Sequence, residues 1–216
     1  MLNESRFEDL IRTKSLGKRV LEIGCGPGVT ASNLINQGAG YVFGMDISEK
    51  FLGEAKKKEI PGRMEFAVGD IHKPLRGKYD VIIGRAILHH IDYQPVLTRL
   101  FTENLNPGGS MFFMEPLGEN FLMRLYFKIA PKAHTPDERP FFKRDLRWLK
   151  KTFPNFKLVP INYLSLPLGI LSSLLISSPN NFLTRFGNLA DTWVGEKFKF
   201  LSPRFRSAIF IIEKSN

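Results

Sequence analysis

A chain of 216 residues with 43% hydrophobic content can bury one generous core, which excludes a disordered tail-like protein and suits one domain, with or without a large insertion. Its single cysteine, Cys25, excludes a disulfide framework and points to a reducing compartment. The net charge of +10 is uneven: residues 1–115 hold fifteen Lys/Arg against fourteen Asp/Glu, and residues 116–216 hold sixteen against seven, so the basic character belongs to the second half. The first twenty residues scatter Glu4, Glu8, Asp9 and Lys14 and lack a long apolar stretch, so they read as neither signal nor transit peptide, and a cytoplasmic location is expected.

Residues 1–17 read as a short helix, with Phe7, Leu10 and Ile11 at helical spacing and Gly17 as its stop. The stretch 20–28, VLEIGCGPG, reads as a buried parallel strand followed by a tight turn through Gly24, Gly26 and Gly28 into a helix over residues 29–37. Free amides at that helix start favour an anionic group, and Glu22 beside the turn could face a cationic one. A ligand with a carboxylate, an ammonium or sulfonium, and a ribose suits both. Residues 41–45 form the second strand, and Asp46 ends it, 22 residues after Gly24, where a doubly wound fold brings an acid to a ribose edge. The competing view is that Asp46 begins a turn and Ser48 caps the helix of residues 49–58. Residues 63–68 give a third strand with Gly69-Asp70-Ile71 at its carboxyl end; an Asp in such a loop is also a common turn former. Residues 79–84 give a fourth strand, then RAILHHI over 85–91 and a helix over 94–104; Asn106-Pro107-Gly108-Gly109 turns into a fifth strand over 110–115.

The spacing Glu22-x-Gly24-x-Gly26-x-Gly28 resembles motif I of the class I S-adenosylmethionine-dependent methyltransferases more than the dinucleotide G-x-G-x-x-G. Asp70 after the third strand, Leu88-His89-His90 after the fourth and Pro107-Gly108-Gly109 before the fifth are similar to small-molecule members of that family, including those of quinone biosynthesis. The resemblance covers residues 18–116, about half of the chain. It implies an α/β fold with a doubly wound, Rossmann-like sheet of seven mostly parallel strands, whose last strand returns antiparallel between the fifth and sixth. It further implies S-adenosylmethionine as cofactor, S-adenosylhomocysteine as product, and a cofactor site of Glu22, Gly24, Cys25, Gly26, Gly28, Asp46, Ile47, Asp70, Ile71 and Arg85. Asp70 then accepts from the adenine amino group while the Ile71 amide meets the ring.

Beyond Pro116 the resemblance thins. Residues 121–129 place Arg124 and Lys128 on one side of an apolar helix, a pattern shared by an interfacial helix and by one packed on a sheet. Residues 131–140, with His134, read as a loop bordering the acceptor; residues 142–152 as a basic amphipathic helix; residues 156–164 as the sixth strand; and residues 206–213 as the last. Domain organisation is thus an N-terminal helix over 1–17, a core over 18–163 plus 205–216, and an apolar helical insertion over 164–204. The run from Leu158 to Thr184 carries no charge, yet its densest part, residues 164–176, is shorter than the roughly 20 apolar residues that span a bilayer. An interfacial helix or a lid over an apolar acceptor fits it, as does a dimer contact or a plain core helix.

Methyl transfer from a sulfonium needs alignment above all, with a base where the acceptor is a hydroxyl. His90, ahead of His89, is the candidate base, with His134 and Glu115 as second choices; capping or packing near the cofactor competes for the two adjacent histidines. No metal-ligand spacing stands out. Nucleic-acid substrates are argued against by Gly84-Arg85-Ala86 where amino-methylating DNA enzymes carry an Asn/Asp-Pro-Pro-Tyr-like run, and by a cysteine committed to the glycine turn. The expected activity is methyl transfer to a lipophilic or lipid-linked small molecule at an anionic membrane surface, on the inner face if peripheral. The alternatives are a soluble natural-product acceptor or a catalytically silent binding fold; the oligomeric state stays open.

Overall fold

The computed structural model describes residues 2–121, 124, 139–165, 168, 169, 172, 176 and 181–216. Of the expected helix over 121–129 only Phe121 and Arg124 are among them, both helical; Lys128, the loop carrying His134, and most of the run 166–180 lie outside. In chain order the elements are α1 (Leu2–Ser15), β1 (Arg19–Ile23), α2 (Val29–Asn36), β2 (Tyr41–Asp46), α3 (Glu49–Lys56), β3 (Met64–Val68), β4 (Tyr79–Arg85) and α4 (Tyr93–Arg99). They continue as β5 (Leu105–Pro116), α5 (Lys143–Thr152), β6 (Phe156–Ile161), α6 (Phe182–Lys197) and β7 (Ser207–Glu213), with 3-10 turns at Leu88–His90 and Lys199–Arg204.

One sheet holds all seven strands in the order β3-β2-β1-β4-β5-β7-β6, with the β5/β7 and β7/β6 pairs antiparallel. This is the doubly wound arrangement that the family resemblance implies, including the returning last strand. The chain folds as two compact units: Asp9–Phe113 with Ile211–Asn216, and Met1–Glu8 with Met114–Phe210.

In the first unit the strands read as unbroken apolar runs because both faces are covered: Val20, Leu21, Val42, Val81, Ile82 and Ile83 are all buried. Asp80 ties its base. Burial pushes this carboxyl up, but the Arg19 amide at 2.9 Å and the Asn106 side-chain amide at 2.8 Å outweigh it and hold it below its ordinary value. In the second unit Phe210 takes Phe141 edge-on at 4.8 Å, and Tyr163 stacks on Phe205 at 4.9 Å.

Two boundaries depart from the sequence reading. The fifth strand begins at Leu105, so Asn106–Gly109 lies inside it instead of forming a turn before it. Its pairing comes from the far end of the chain: Lys214 N–H donates to Gly109 carbonyl at 2.9 Å and Gly108 N–H to Ser215 carbonyl at 3.4 Å. The sixth strand stops at Ile161, short of the expected residue 164. Asn162 turns to a φ of 65°, and the buried Asp191 carboxylate of α6 then accepts from the amides of Tyr163 at 3.0 Å and Leu164 at 2.6 Å. A carboxylate 28 residues away has replaced the ladder bonds.

Candidate active site

Parallel pairing of β1 with β2 and β4, and of β2 with β3, brings the carboxyl ends of four strands to one edge. Ligands of open α/β sheets bind there. The turn after β1 takes φ values of 65°, 52° and 74° at Gly24, Gly26 and Gly28, in the left-handed region where a side chain is strained. The three glycines serve different ends. A Cβ on Gly24 would lie 3.0 Å from Ile87 Cγ1, and one on Gly28 would lie 2.7 Å from Phe66 Cζ, whereas one on Gly26 would meet nothing within 4 Å. Gly24 and Gly28 are packing glycines, and Gly26 borders open space.

Asp46 ties three loops together. Its Oδ2 accepts from Gly26 N–H at 2.8 Å, its Oδ1 from Ser48 N–H at 2.9 Å, and its carbonyl from Gly69 N–H at 3.0 Å. The turn-forming reading of Asp46 is what the structure shows: it starts the turn and Ser48 caps α3 by accepting from Phe51 N–H at 3.4 Å, while each carboxylate oxygen retains a second lone pair. Ile47 beside it is 74% exposed.

Asp70 follows β3. The His72 backbone N–H at 2.9 Å, and then the His72 imidazole Nδ1 at 2.8 Å, hold its carboxyl below its usual range, so it is ionised at neutral pH. Ile71 buries its side chain, and its carbonyl, like that of His72, accepts from Arg99. The loop is thus held from α4.

Glu22 is 6% exposed within β1, in register with Gly44 of β2 and Ile83 of β4. Arg85 is exposed at the end of β4. Beyond it the Leu88–His90 turn buries His89 and leaves His90 exposed, their ring centroids 4.1 Å apart. Glu115 is buried in β5.

Sequence reasoning missed two residues here. Ala86 has a φ of 51°, which a non-glycine residue adopts at a cost of about 1–2 kcal/mol, and nothing in an alanine signals this. Ile87 next to it fills the space left by Gly24 and Gly84, the latter's Cβ position lying 2.8 Å from Ile87 Cγ2. The glycines were the available signal.

Cys25 is buried in the turn, its N–H donating to Met45 carbonyl at 3.1 Å. Burial first, then the charges of Glu22 and Asp46, push its thiol up to about 12. The thiol is therefore protonated at neutral pH and unsuited to nucleophilic attack. Because the folded value is raised, its share of stability is present below the unfolded pKa of about 8.5 and is lost as pH climbs towards 12. Iodoacetamide at pH 8 should leave Cys25 unmodified in the native protein and alkylate it in guanidinium, as read by intact mass; rapid native labelling would contradict the burial.

A glycine turn latched to an acid at the end of the second strand, with another acid after the third, lies at the carboxyl edge of the sheet, where open α/β folds bind their ligands. Residues 3–157 match the methyltransferase domain family, and the chain belongs to it. It is similar to the magnesium-protoporphyrin O-methyltransferase of Rhodobacter capsulatus, 31% identical over 149 residues that make up 67% of this chain and 56% of that protein. The ubiquinone biosynthesis O-methyltransferase of Escherichia coli O127:H6 is 28% identical over 150 residues, 63% of this chain and 62% of that one. The chain spans about half the length of the curated relatives it matches. Among solved structures, magnesium protoporphyrin IX methyltransferase from Synechocystis PCC 6803 with bound SAH aligns at a TM-score of 0.63 and 18% identity, covering 99% of this chain and 84% of that one. Haemonchus contortus phosphoethanolamine N-methyltransferase 2, in complex with S-adenosyl-L-methionine, aligns at 0.69 and 19%, covering 98% and 53%. At these identities the structures show the fold.

Proposed function

We propose that the chain transfers the methyl group of S-adenosylmethionine to a small-molecule acceptor, leaving S-adenosylhomocysteine. The observation that carries this is the joined edge in which Asp46 accepts from Gly26 N–H at 2.8 Å while the Gly26 Cβ position faces open space. The residues present fit the cofactor. The amides around Gly26 and the start of α2 suit its carboxylate, Glu22 its ammonium, Asp46 its ribose hydroxyls and Asp70 its adenine amino group, with Ile71 and Arg85 beside them. The exposed Ile47 offers an apolar face for the purine.

When bound, the cofactor supplies an electrophilic methyl on a sulfonium. The work left to the protein is alignment and exclusion of water, and alignment alone can be worth about 7–11 kcal/mol. His90, exposed after β4, is the side chain we assign to take the acceptor proton, with His89 behind it. Replacing His90 with Ala should lower kcat about 100-fold while cofactor Kd changes less than about twofold. Equal, small losses in both would remove the base.

A lipophilic acceptor met at an anionic membrane surface is our finer reading, with residues 164–204 as the contacting or covering element. On α6, Phe182, Phe186, Leu189 and Trp193 are 75%, 55%, 72% and 56% exposed and recur at helical spacing, an apolar stripe of the kind that enters an interface. No helix among the described residues is long and apolar enough to cross a membrane. The relatives named for magnesium-protoporphyrin and ubiquinone-biosynthesis O-methylation support a small-molecule acceptor.

The test is calorimetric titration with S-adenosylmethionine, S-adenosylhomocysteine and NAD, followed by incubation with labelled donor and fractionated cell extract. Uptake of the first two and label in a small molecule are expected. Preferential uptake of NAD, or no uptake at all, would overturn the proposal.

A further inference from the structure

A second concave surface shares no residue with the cofactor edge. It is a cleft of about 960 Å³ built entirely within the unit of Met1–Glu8 and Met114–Phe210, and its lining includes Arg6, Lys143, Arg147, Lys150, Lys157 and Lys199 against one carboxylate, Glu196. Part of this lining, from α6 and the 3-10 turn after it, lies beyond the span 3–157 that matches the family.

The clustering is costly without a counter-charge. Lys143, Arg147 and Lys150 stand at i, i+4 and i+7, so α5 aims three like charges along one face, and such neighbours repel. The one carboxylate of α5, Asp145, is engaged elsewhere. It is buried, accepting from Phe142 N–H at 2.8 Å and facing Arg139 at 3.5 Å and Arg144 at 3.8 Å. The floor between the charges is apolar, with Leu146, Phe156 and Leu158, and low-dielectric walls focus the field of one-sided charge. Thr192 and Ser202 add hydroxyls. Arginine forks and lysine ammoniums around a large, open cleft suit phosphoryl oxygens, which take several charge-assisted hydrogen bonds at once.

We infer that this cleft binds the phosphate or diphosphate group of an anionic ligand, supplied by a lipid headgroup or by a free phosphorylated compound. The inference stands apart from the methyl-transfer reading, because cofactor uptake is measured separately on the same variants.

Inorganic pyrophosphate is titrated calorimetrically at about 0.15 M salt, where a Debye length near 8 Å leaves little diffuse attraction. Wild type is compared with the double variant Arg147→Glu/Lys150→Glu, with the milder Arg147→Gln/Lys150→Gln, and with Lys151→Glu. Lys151 is on the same helix and does not line the cleft, so it reproduces a single charge reversal without touching the site. Saturable binding to wild type is expected, weakened at least about tenfold by both double variants and less than about twofold by Lys151→Glu, with cofactor affinity unchanged throughout.

Sedimentation with phosphatidylglycerol or phosphatidylcholine vesicles separates the sources. Retention on phosphatidylglycerol alone, displaced by pyrophosphate, supports a lipid headgroup, whereas pyrophosphate binding without retention supports a free phosphate compound. Equal losses in the double variants and Lys151→Glu, or no saturable binding to pyrophosphate and no displaceable retention, would overturn the inference.

Discussion

Asp46→Ala is expected to weaken S-adenosylmethionine binding about 100-fold or more, because in the proposed site the carboxylate takes the ribose and it also latches the glycine loop beside it. Its bond to Gly26 N–H is 2.8 Å long, and hydrogen bonds to a charged partner are each worth about 1.5–3 kcal/mol; losing two, one to the loop and one to the ligand, costs about 3–6 kcal/mol, so a factor of about 100 is the lower bound expected. The side chain also holds Ser48 N–H at 2.9 Å, so some stability will go with it. Ser48→Ala separates the two effects. It removes the cap on Phe51 N–H and should cost about 1 kcal/mol in denaturant unfolding while leaving donor affinity nearly intact. A cofactor Kd for Asp46→Ala within about threefold of wild type would reduce Asp46 to the turn former of the competing reading.

Gly28→Ala is the substitution expected to damage the fold most. Its φ of 74° costs an alanine about 1–2 kcal/mol, and the new Cβ would lie 2.7 Å from Phe66 Cζ and 3.2 Å from Ala55 Cβ. The same ring also packs close over Gly44, Phe66 Cδ1 sitting 2.5 Å from where a Cβ there would be. Overpacking of this kind adds about 1–3 kcal/mol, for a total near 2–5 kcal/mol, a large share of what holds a domain folded. Gly26→Ala should behave differently. It meets no neighbour within 4 Å, so the unfolding midpoint should fall only by the backbone strain while cofactor affinity drops, because the methyl group enters the ligand side. Urea unfolding of both variants, with Gly28→Ala/Phe66→Leu expected to recover part of the loss, checks the assignment. A Gly28→Ala cost below about 1 kcal/mol would mean the loop relaxes freely.

Much of the cofactor edge was legible because its chemistry is local. A glycine turn favours positive φ, an acid at the carboxyl end of a parallel strand falls at the sheet edge, and the strand order came from the family resemblance. Asp46 and Asp70 could be placed from spacing alone. What could not be read was which of two physical jobs each side chain does: Asp46 latches Gly26, Asp70 is held by His72, and Gly24 and Gly28 make room for Ile87 and Phe66.

By itself the sequence determined the α/β class and the glycine turn with acids at the ends of the second and third strands, since each depends on residues close in the chain, while its family resemblance supplied the doubly wound order and the returning last strand. Only the tertiary structure decided where β5 begins and β6 ends, which adjacent histidine is buried, and that basic residues of α1, α5, β6 and the turn after α6 converge on one cleft. Those features come from partners far apart in sequence: Lys214 with Gly109, Asp191 with Tyr163, Arg6 with Arg147 around the same cavity. No local pattern encodes which distant amide or charge will be brought alongside, because that is settled by how the whole chain packs.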